Sequence, residues 1–289
     1  MTYELCIGDR AYSSWSLRGW LLFEAFGLPA KTTLAQLYSD DFARVLEGFA
    51  PARTVPALRL PEGVVVADSL AIAEELATRH PAAAHWPPEH AARAVARALA
   101  AEMHSAFQAL RSHCPMNLRI SYTDCAPPPE VLADLARLEV LWAWARRETG
   151  SNGPWLCGAY SVADAFFAPV AARVAGYNLP MGTAAMDYVQ AHLEHAPFRR
   201  WRAMALAAGP DQPFYRRDWP MRPWPGPAPL PAEACAGPSI NQVCPYSGRP
   251  VTDFLRVKGQ VLGFCNPFCR DKTGADVAAW PPALSLLKA

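Results

Sequence analysis

Apolar positions in the first eighty residues change period several times. Tyr3, Leu5 and Ile7 alternate with Glu4 and Cys6 and stop at Gly8, the period-two pattern of a strand. From Ser16 to Phe26, six apolar residues beginning with Leu17 and Trp20 fall at helical spacing, and Gly27 with Pro29 ends the run. Lys31 to Leu34 reads as a second strand. Ala57 to Leu60 and Val64 to Val66, separated by Pro61-Glu62-Gly63, read as a hairpin. Asp68-Ser69 then opens a helix through Leu70, Ile72, Ala73 and Leu76 that closes before Pro81. The predicted order over 1–82 is strand, helix, strand, strand, strand, helix.

Residues 88–208 switch to an all-helical pattern. Val95, Leu99, Met103, Phe107 and Leu110 recur at three- and four-residue intervals and predict one long helix from Glu89 to His113. Pro127-Pro128-Pro129 starts another, with Gly150 beyond its end. Ser161 to Gly176 is apolar almost all round, which places it at the centre of a bundle. Thr183 to His195 and Phe198 to Ala208 predict two shorter helices. Ser161 and Asp164 form a capping-box variant at the start of the central helix, a structural role with no catalytic part. Residues 209–232 break every pattern, because proline lacks the donor that helix and central strand require. They read as an extended linker with its tryptophans against the bundle. Beyond it, a small module over 235–285 holds a hairpin that turns at Gly259. The fold class is α+β.

Composition narrows the function classes. The 289 residues carry a formal charge of +1, with 52% hydrophobic and 18% charged, enough for a real core. Balanced charge gives no field favouring nucleic acid or an anionic membrane. Apolar runs are too short and interrupted for a membrane span, and Met1-Thr2-Tyr3-Glu4 lacks the start of a secretory signal, so a cytoplasmic location is expected. Of the 29 prolines, eight fall between Pro210 and Pro231, which marks the linker. Half of the eight cysteines lie at or beyond Cys235, so the chain is two unlike regions rather than a disulfide scaffold.

The first candidate chemistry lies in Tyr12-Ser13-Ser14-Trp15-Ser16-Leu17-Arg18, where the first strand hands over to the first helix. Free backbone donors and the positive helix end favour an anion there, and a serine hydroxyl can stabilise a bound thiolate. Ser13 or Ser14 serving only as an N-cap is the alternative. Thr54-Val55-Pro56 stands at a strand start, a candidate cis bond, and Asp68-Ser69 offers a carboxylate and a hydroxyl at another helix start. This ordered set, with Tyr160-Ser161-Val162-Ala163-Asp164, resembles the cytosolic glutathione S-transferases over residues 1 to about 208, and most closely their serine-type, zeta-like and bacterial classes. The resemblance implies a thioredoxin-like glutathione-binding domain over 1–82 and an all-helical substrate domain over 88–208. It implies Ser13 as thiol activator, with Ser14 as runner-up, and Ser14 and Trp15 beside the sulfur. Val55 would pair its backbone with the cysteinyl part of glutathione, and Asp68 and Ser69 would hold the γ-glutamyl end. A homodimer and a small electrophilic substrate, in detoxification or glutathione-dependent isomerisation, are further expectations from it. Ser13 and Ser16 stand where redox relatives carry a Cys-x-x-Cys pair, which excludes dithiol chemistry at this turn. Met103, Phe107, Arg111, Cys114, Asn117 and Arg119 on the long helix are candidates to face the substrate.

The second candidate is Cys244-Pro245-Tyr246-Ser247-Gly248 with Cys265-Asn266-Pro267-Phe268-Cys269 after the hairpin. Three thiolates at that spacing suit zinc, and a metal would stabilise a segment too small for a core of its own. Buried thiols or a disulfide are the alternatives. The arrangement resembles the heavy-metal-associated three-cysteine modules (TRASH-like, YHS-like) over 241 to about 281 and implies a zinc-ribbon-like fold. No histidine follows His195, so Cys235, Asp271, Asp276 or water is left to complete the site, Cys235 being the best thiol. Cys6, Cys114, Cys125 and Cys157 read as small hydrophobes, and His192 and His195 as a solvated helix face. The leading expectation is a glutathione transferase with a metal-binding tail. A non-catalytic binding protein on the same fold, its tail making the contacts or sensing metal, is the competing one.

Overall fold

The computed structural model describes residues 2–287. The elements in chain order begin with β1 (Tyr3–Ile7), α1 (Ser14–Glu24), β2 (Ala30–Leu34), α2 (Asp41–Glu47), β3 (Ala57–Arg59), β4 (Val65–Ala67) and α3 (Ser69–Arg79). Helices α4 (His90–Ser105) and α5 (Gln108–His113) follow, then β5 (Ser121–Tyr122), α6 (Pro129–Thr149), α7 (Val162–Tyr177) and α8 (Thr183–Glu194). The chain continues through α9 (Ala196–Ala207), β6 (Met221–Arg222), β7 (Ala232–Cys235), β8 (Asp253–Val257), β9 (Gln260–Phe264), α10 (Pro267–Ala275) and α11 (Pro281–Leu284). Contacts divide the described residues into two compact units, 2–193 with 212–225, and 194–211 with 226–287.

In the first unit the sheet order is β2-β1-β3-β4. β1 runs parallel to β2, as their helical crossover requires, and antiparallel to β3, which pairs antiparallel with β4 across a hairpin. Helix α1 buries Leu17, Leu21 and Leu22. Its Gly19 lets Pro56 approach, since a Cβ there would lie 2.8 Å from the proline ring. Helix α2 was not expected from the sequence: it is short and buries only Leu46, too little for a periodic signal. It nonetheless closes a cluster in which Cys6, Phe49, Val55 and Ala57 are buried together.

The long helix expected over Glu89–His113 breaks. Phe107 adopts φ +61, and α5 restarts with the Leu110 N–H donating to Asp134 Oδ2 at 2.8 Å. Phe107 is buried, so its apolar character fits the helical pattern although its backbone does not. Central helix α7 is buried along its whole length. Asp164 Oδ2 accepts from the Ser161 N–H at 2.9 Å, while Oδ1 accepts from Leu156 N–H at 3.2 Å and Tyr188 OH at 2.9 Å. His192, expected on a solvated face, is instead fully buried beside Tyr188 and Trp155, because α8 turns that face inward.

Residues 212–225, inside the expected linker, are folded onto the first unit. β6 pairs with β5 between two flanking prolines, Pro220 and Pro223. Its edge position suits a segment that cannot supply a full ladder of donors. Trp219 lies against Tyr122 and Tyr177, as expected of the linker's tryptophans. Arg222 donates to the Ala175 carbonyl at 2.9 Å.

The second unit has a three-stranded antiparallel sheet, β7-β8-β9, whose β8–β9 turn falls at Lys258 and Gly259, both with positive φ. Helix α10 packs on this sheet and on α9, which the sequence placed with the helical bundle. Phe198 and Trp201 of α9 are buried, and Leu255, Leu262, Phe264 and Trp280 are buried in the sheet and tail. The unit therefore has an apolar core, and Arg199 of α9 is paired with Asp276 at 2.7 Å.

Candidate functional site

The turn between β1 and α1 is built by backbone bonds and small side chains. Tyr12 and Ser13 N–H donate to the Asp9 carbonyl, and Asp9 Oδ2 accepts from the Leu37 N–H at 2.6 Å. Burial pushes the Asp9 carboxyl up, opposed by its backbone hydrogen bonds and the charges of Arg119 and Arg10. Ser13 is the N-cap of α1: its Oγ accepts from the Ser16 N–H at 3.3 Å. The same hydroxyl donates to Ser16 Oγ at 2.7 Å, which also accepts from the Gly8 N–H at 2.8 Å. Ser13, Ser14, Trp15 and Val55 line one cavity of about 410 Å³. The Val55-Pro56 bond is cis.

Part of the lining is cationic: Arg53, Arg111 and Arg173 line the cavity, and no carboxylate lines it among the described residues. Arg173 is only 5% exposed; it donates to the Cys114 and Pro169 carbonyls and reaches Ser14 Oγ at 3.5 Å. Burial and then the charge of Arg111 push its guanidinium down to about 10, and burial lowers Arg111 as well. Arg111 lies over the Trp15 ring at 4.6 Å, and Arg18 over the same ring at 4.4 Å. Arg18 is buried, with its guanidinium held well below the usual range by burial, then Arg173 and Arg111, against Asp68. The proline-rich segment also contributes to the lining: the Tyr215 ring sits 4.6 Å from that of Tyr12, and the Gln212 N–H donates to Tyr12 OH at 3.0 Å.

Asp68 and Ser69 are not part of this cavity lining. Asp68 caps α3 through the Leu70 N–H at 2.7 Å and meets His104 Nε2 at 3.2 Å. Ser69 is buried, and its hydroxyl has no hydrogen-bond partner among the described residues. Trp15 is placed edge-on to His104, 5.1 Å between centroids. Of the six candidates on the long helix, Arg111 alone lines the cavity; Met103, Phe107, Cys114 and Asn117 are buried, and Arg119 is not in the lining. Arg173 and Tyr215 were missed. A lone cation within an otherwise apolar central helix was the available signal for Arg173. Tyr215 had none.

In the second unit, Cys244, Cys265 and Cys269 place their sulfurs within 4.8 Å of one another. Cys244 sits in a tight turn closed by its N–H donating to the Arg249 carbonyl, and Cys265 follows β9. Cys269 stands in the first turn of α10, where its N–H donates to the Asn266 side chain that caps the helix. Cys235, Asp271 and Asp276 do not join the cluster. Burial raises the Cys244 thiol, but donors from Tyr246, Cys265 and Ser247 outweigh it and bring it to about 7. Burial pushes the Cys269 thiol up to about 11. Cys6, Cys114 and Cys157 are buried, with thiols raised to about 11, 12 and 12 mainly by burial.

Residues 12–79 match the family model of the glutathione S-transferase N-terminal domain. Among solved structures, a glutathione transferase homologue from Burkholderia gl BGR1 with bound glutathione is 22% identical and covers 72% of this chain and 100% of its own, with a TM-score of 0.54. Glutathione transferase Omega 2S from Trametes versicolor is 20% identical over 74% of this chain and 99% of its own, with a TM-score of 0.55. Maleylacetoacetate isomerase from Anaeromyxobacter dehalogenans 2CP-1, with glutathione bound in its active site, is 24% identical over 76% and 98%, at a TM-score of 0.50. A search of curated proteins finds no match. These likenesses establish a glutathione-transferase fold, thioredoxin-like at its N-terminus.

Proposed function

We propose that the chain is a glutathione transferase in which the start of α1 stabilises the glutathione thiolate. The observation that carries this reading is the convergence of Ser13, Ser14 and Val55 on one cavity at a helix N-terminus. In the observed arrangement the Ser13 proton is directed to Ser16 Oγ. Reversing that bond makes a relay, Gly8 N–H to Ser16 hydroxyl to Ser13 hydroxyl to sulfur, which turns the cap into a thiolate donor without moving the backbone. Arg173 adds positive charge on the Ser14 side. The thiol proton leaves to solvent, the sulfur forms a bond to an electrophilic carbon, and the leaving group departs with its electron pair.

The unpartnered Ser69 hydroxyl and the Asp68 carboxylate suit the γ-glutamyl end. The cationic lining favours an electrophile that carries a carboxylate, a preference in keeping with the isomerase among the structural neighbours. Ser13→Ala should lower turnover of an activated halide about 10²-fold or more while retention on immobilised glutathione persists. Unchanged turnover would transfer the role to Ser14, and failure of the native chain to bind glutathione would favour the non-catalytic reading.

The cluster in the second unit carries a separate part of the proposal: Cys244, Cys265 and Cys269 hold a metal, zinc being the best fit to three soft donors with no hard one among them. A bound ion would tie the 244 turn, the end of β9 and the start of α10 together. Elemental analysis of chain purified without added metal tests this, and a metal-free preparation with three freely titrating thiols would defeat it.

A further inference from the structure

A tetrahedral zinc or cobalt ion takes four ligands, and the cluster supplies three. Of the donors nearest in sequence, the carboxylates are committed elsewhere, and Cys235, at the end of β7, is not among the clustered sulfurs. Asp276 is gripped by Arg199 through Nε and Nη2, at 2.8 and 2.7 Å. Asp271 and Asp253 both accept from Arg270, at 2.7 and 3.1 Å. Among the described residues no further cysteine, histidine or carboxylate joins the three sulfurs.

The surroundings are positive rather than negative. Three thiolates around a divalent ion sum to a single negative charge. Lys272, one turn after Cys269 on α10, holds its ammonium 3.9 Å from the Tyr246 ring centroid and 4.0 Å from that of Trp280, close enough to act on Cys269. The N-terminal turn of α10 adds the positive end of its dipole. Cys265 Sγ accepts from Ser247 Oγ at 3.2 Å and from Asn266 Nδ2 at 3.3 Å. An additional anionic ligand is therefore tolerated, and an ion already held by soft sulfur prefers a soft one. Access exists on one side: Cys244 and Cys269 are buried, Cys265 is half-buried and Ser247 is exposed.

We propose that the metal held by Cys244, Cys265 and Cys269 takes its fourth ligand from solvent, as the thiolate of a small thiol. This rests on the reading of the cluster as a metal site. One metal–sulfur bond forms, one water leaves the ion, the thiol proton passes to solvent, and no electrons are transferred. The site is then an exchangeable one rather than a closed structural knot.

The test uses the full chain, kept reduced by a phosphine in place of any thiol, titrated with cobalt(II) and then with 2-mercaptoethanol. A thiolate-to-cobalt charge-transfer band should appear at one ion per chain and rise saturably by about a third as a fourth thiolate joins three. Cys235→Ser should behave identically. A band that ignores added thiol, or that collapses as the thiol strips the ion, overturns the proposal alone. So does a four-thiolate band before thiol is added, whether Cys235→Ser weakens it or the chain proves dimeric through a shared cysteine. Absence of any band overturns the metal reading itself and the proposal with it.

Discussion

The two candidate sites are assembled in opposite ways. The cavity of the first unit draws on residues from Tyr12 to Tyr215, taken from the start of α1, the loop before β3, α5, the central helix α7 and the proline-rich segment. The cluster of the second unit lies within Cys244–Cys269 and is brought together by one turn, one hairpin and one helix start. The first site is held by a core that exists without a ligand, with α7 buried end to end. The second holds three thiols next to a modest core, where a bound ion would add a large share of the stability. A long-range site tolerates change at its rim and fails when the scaffold fails; a short-range site should depend on its own few ligands.

The largest expected effect falls on the scaffold of the first unit. Asp164 is fully buried and serves donors from Leu156, Ser161 and Tyr188. Asp164→Ala would strand those donors and should cost about 3–5 kcal/mol. Amide exchange in α7 should accelerate accordingly, while protection in β7–β9 is retained. Equal losses in both places would break the contrast between the units.

Legibility in the sequence follows the same contrast. The three cysteines were readable because their separation along the chain is a hairpin, which period-two alternation and Gly259 announce. Strands β1, β3 and β4 and helices α1, α3 and α7 were readable from apolar period. Ser13, Ser14 and Val55 were found through motif order, and the structure brings them to one cavity. The break at Phe107 was hidden, because a buried phenylalanine fits a helical stripe whatever its φ. The folding of 212–225 onto the first unit was only partly visible. Prolines reveal that a segment is extended, but not which edge it meets, so Trp219 was anticipated and Tyr215 was not. That Ser69 is buried away from the cavity lining is tertiary information alone.

A smaller effect should appear in the second unit as pH falls. His195, just before α9, has its imidazole pushed down to about 4 by burial and then by the charge of Arg200. In the unfolded chain it titrates near ~6.5, so the unfolded state binds the extra proton first. The stability it contributes is complete above that value and is lost as pH drops toward 4, by roughly 2–4 kcal/mol. Denaturation curves at pH 7 and pH 4.5 should differ less for His195→Gln than for the native chain. An identical difference would remove His195 from the account.

The smallest effect joins backbone to site in the first unit. At Gly19 an added Cβ would stand 2.8 and 2.9 Å from Pro56 Cβ and Cγ, ring atoms that cannot rotate away. Alanine would gain about 1 kcal/mol of helix propensity in the middle of α1, yet overpacking of this kind costs about 1–3 kcal/mol. Gly19→Ala should therefore be destabilising by about 1 kcal/mol net, and the strain falls on the segment that presents Val55 to the cavity. Glutathione affinity should drop more than stability does, because the neighbour that must shift is joined directly to a residue lining the site. Cobalt binding by Cys244, Cys265 and Cys269 serves as the internal control. If Gly19→Ala weakened cobalt as much as glutathione, the two sites would share one scaffold, and the difference between a long-range and a short-range site would no longer explain their behaviour.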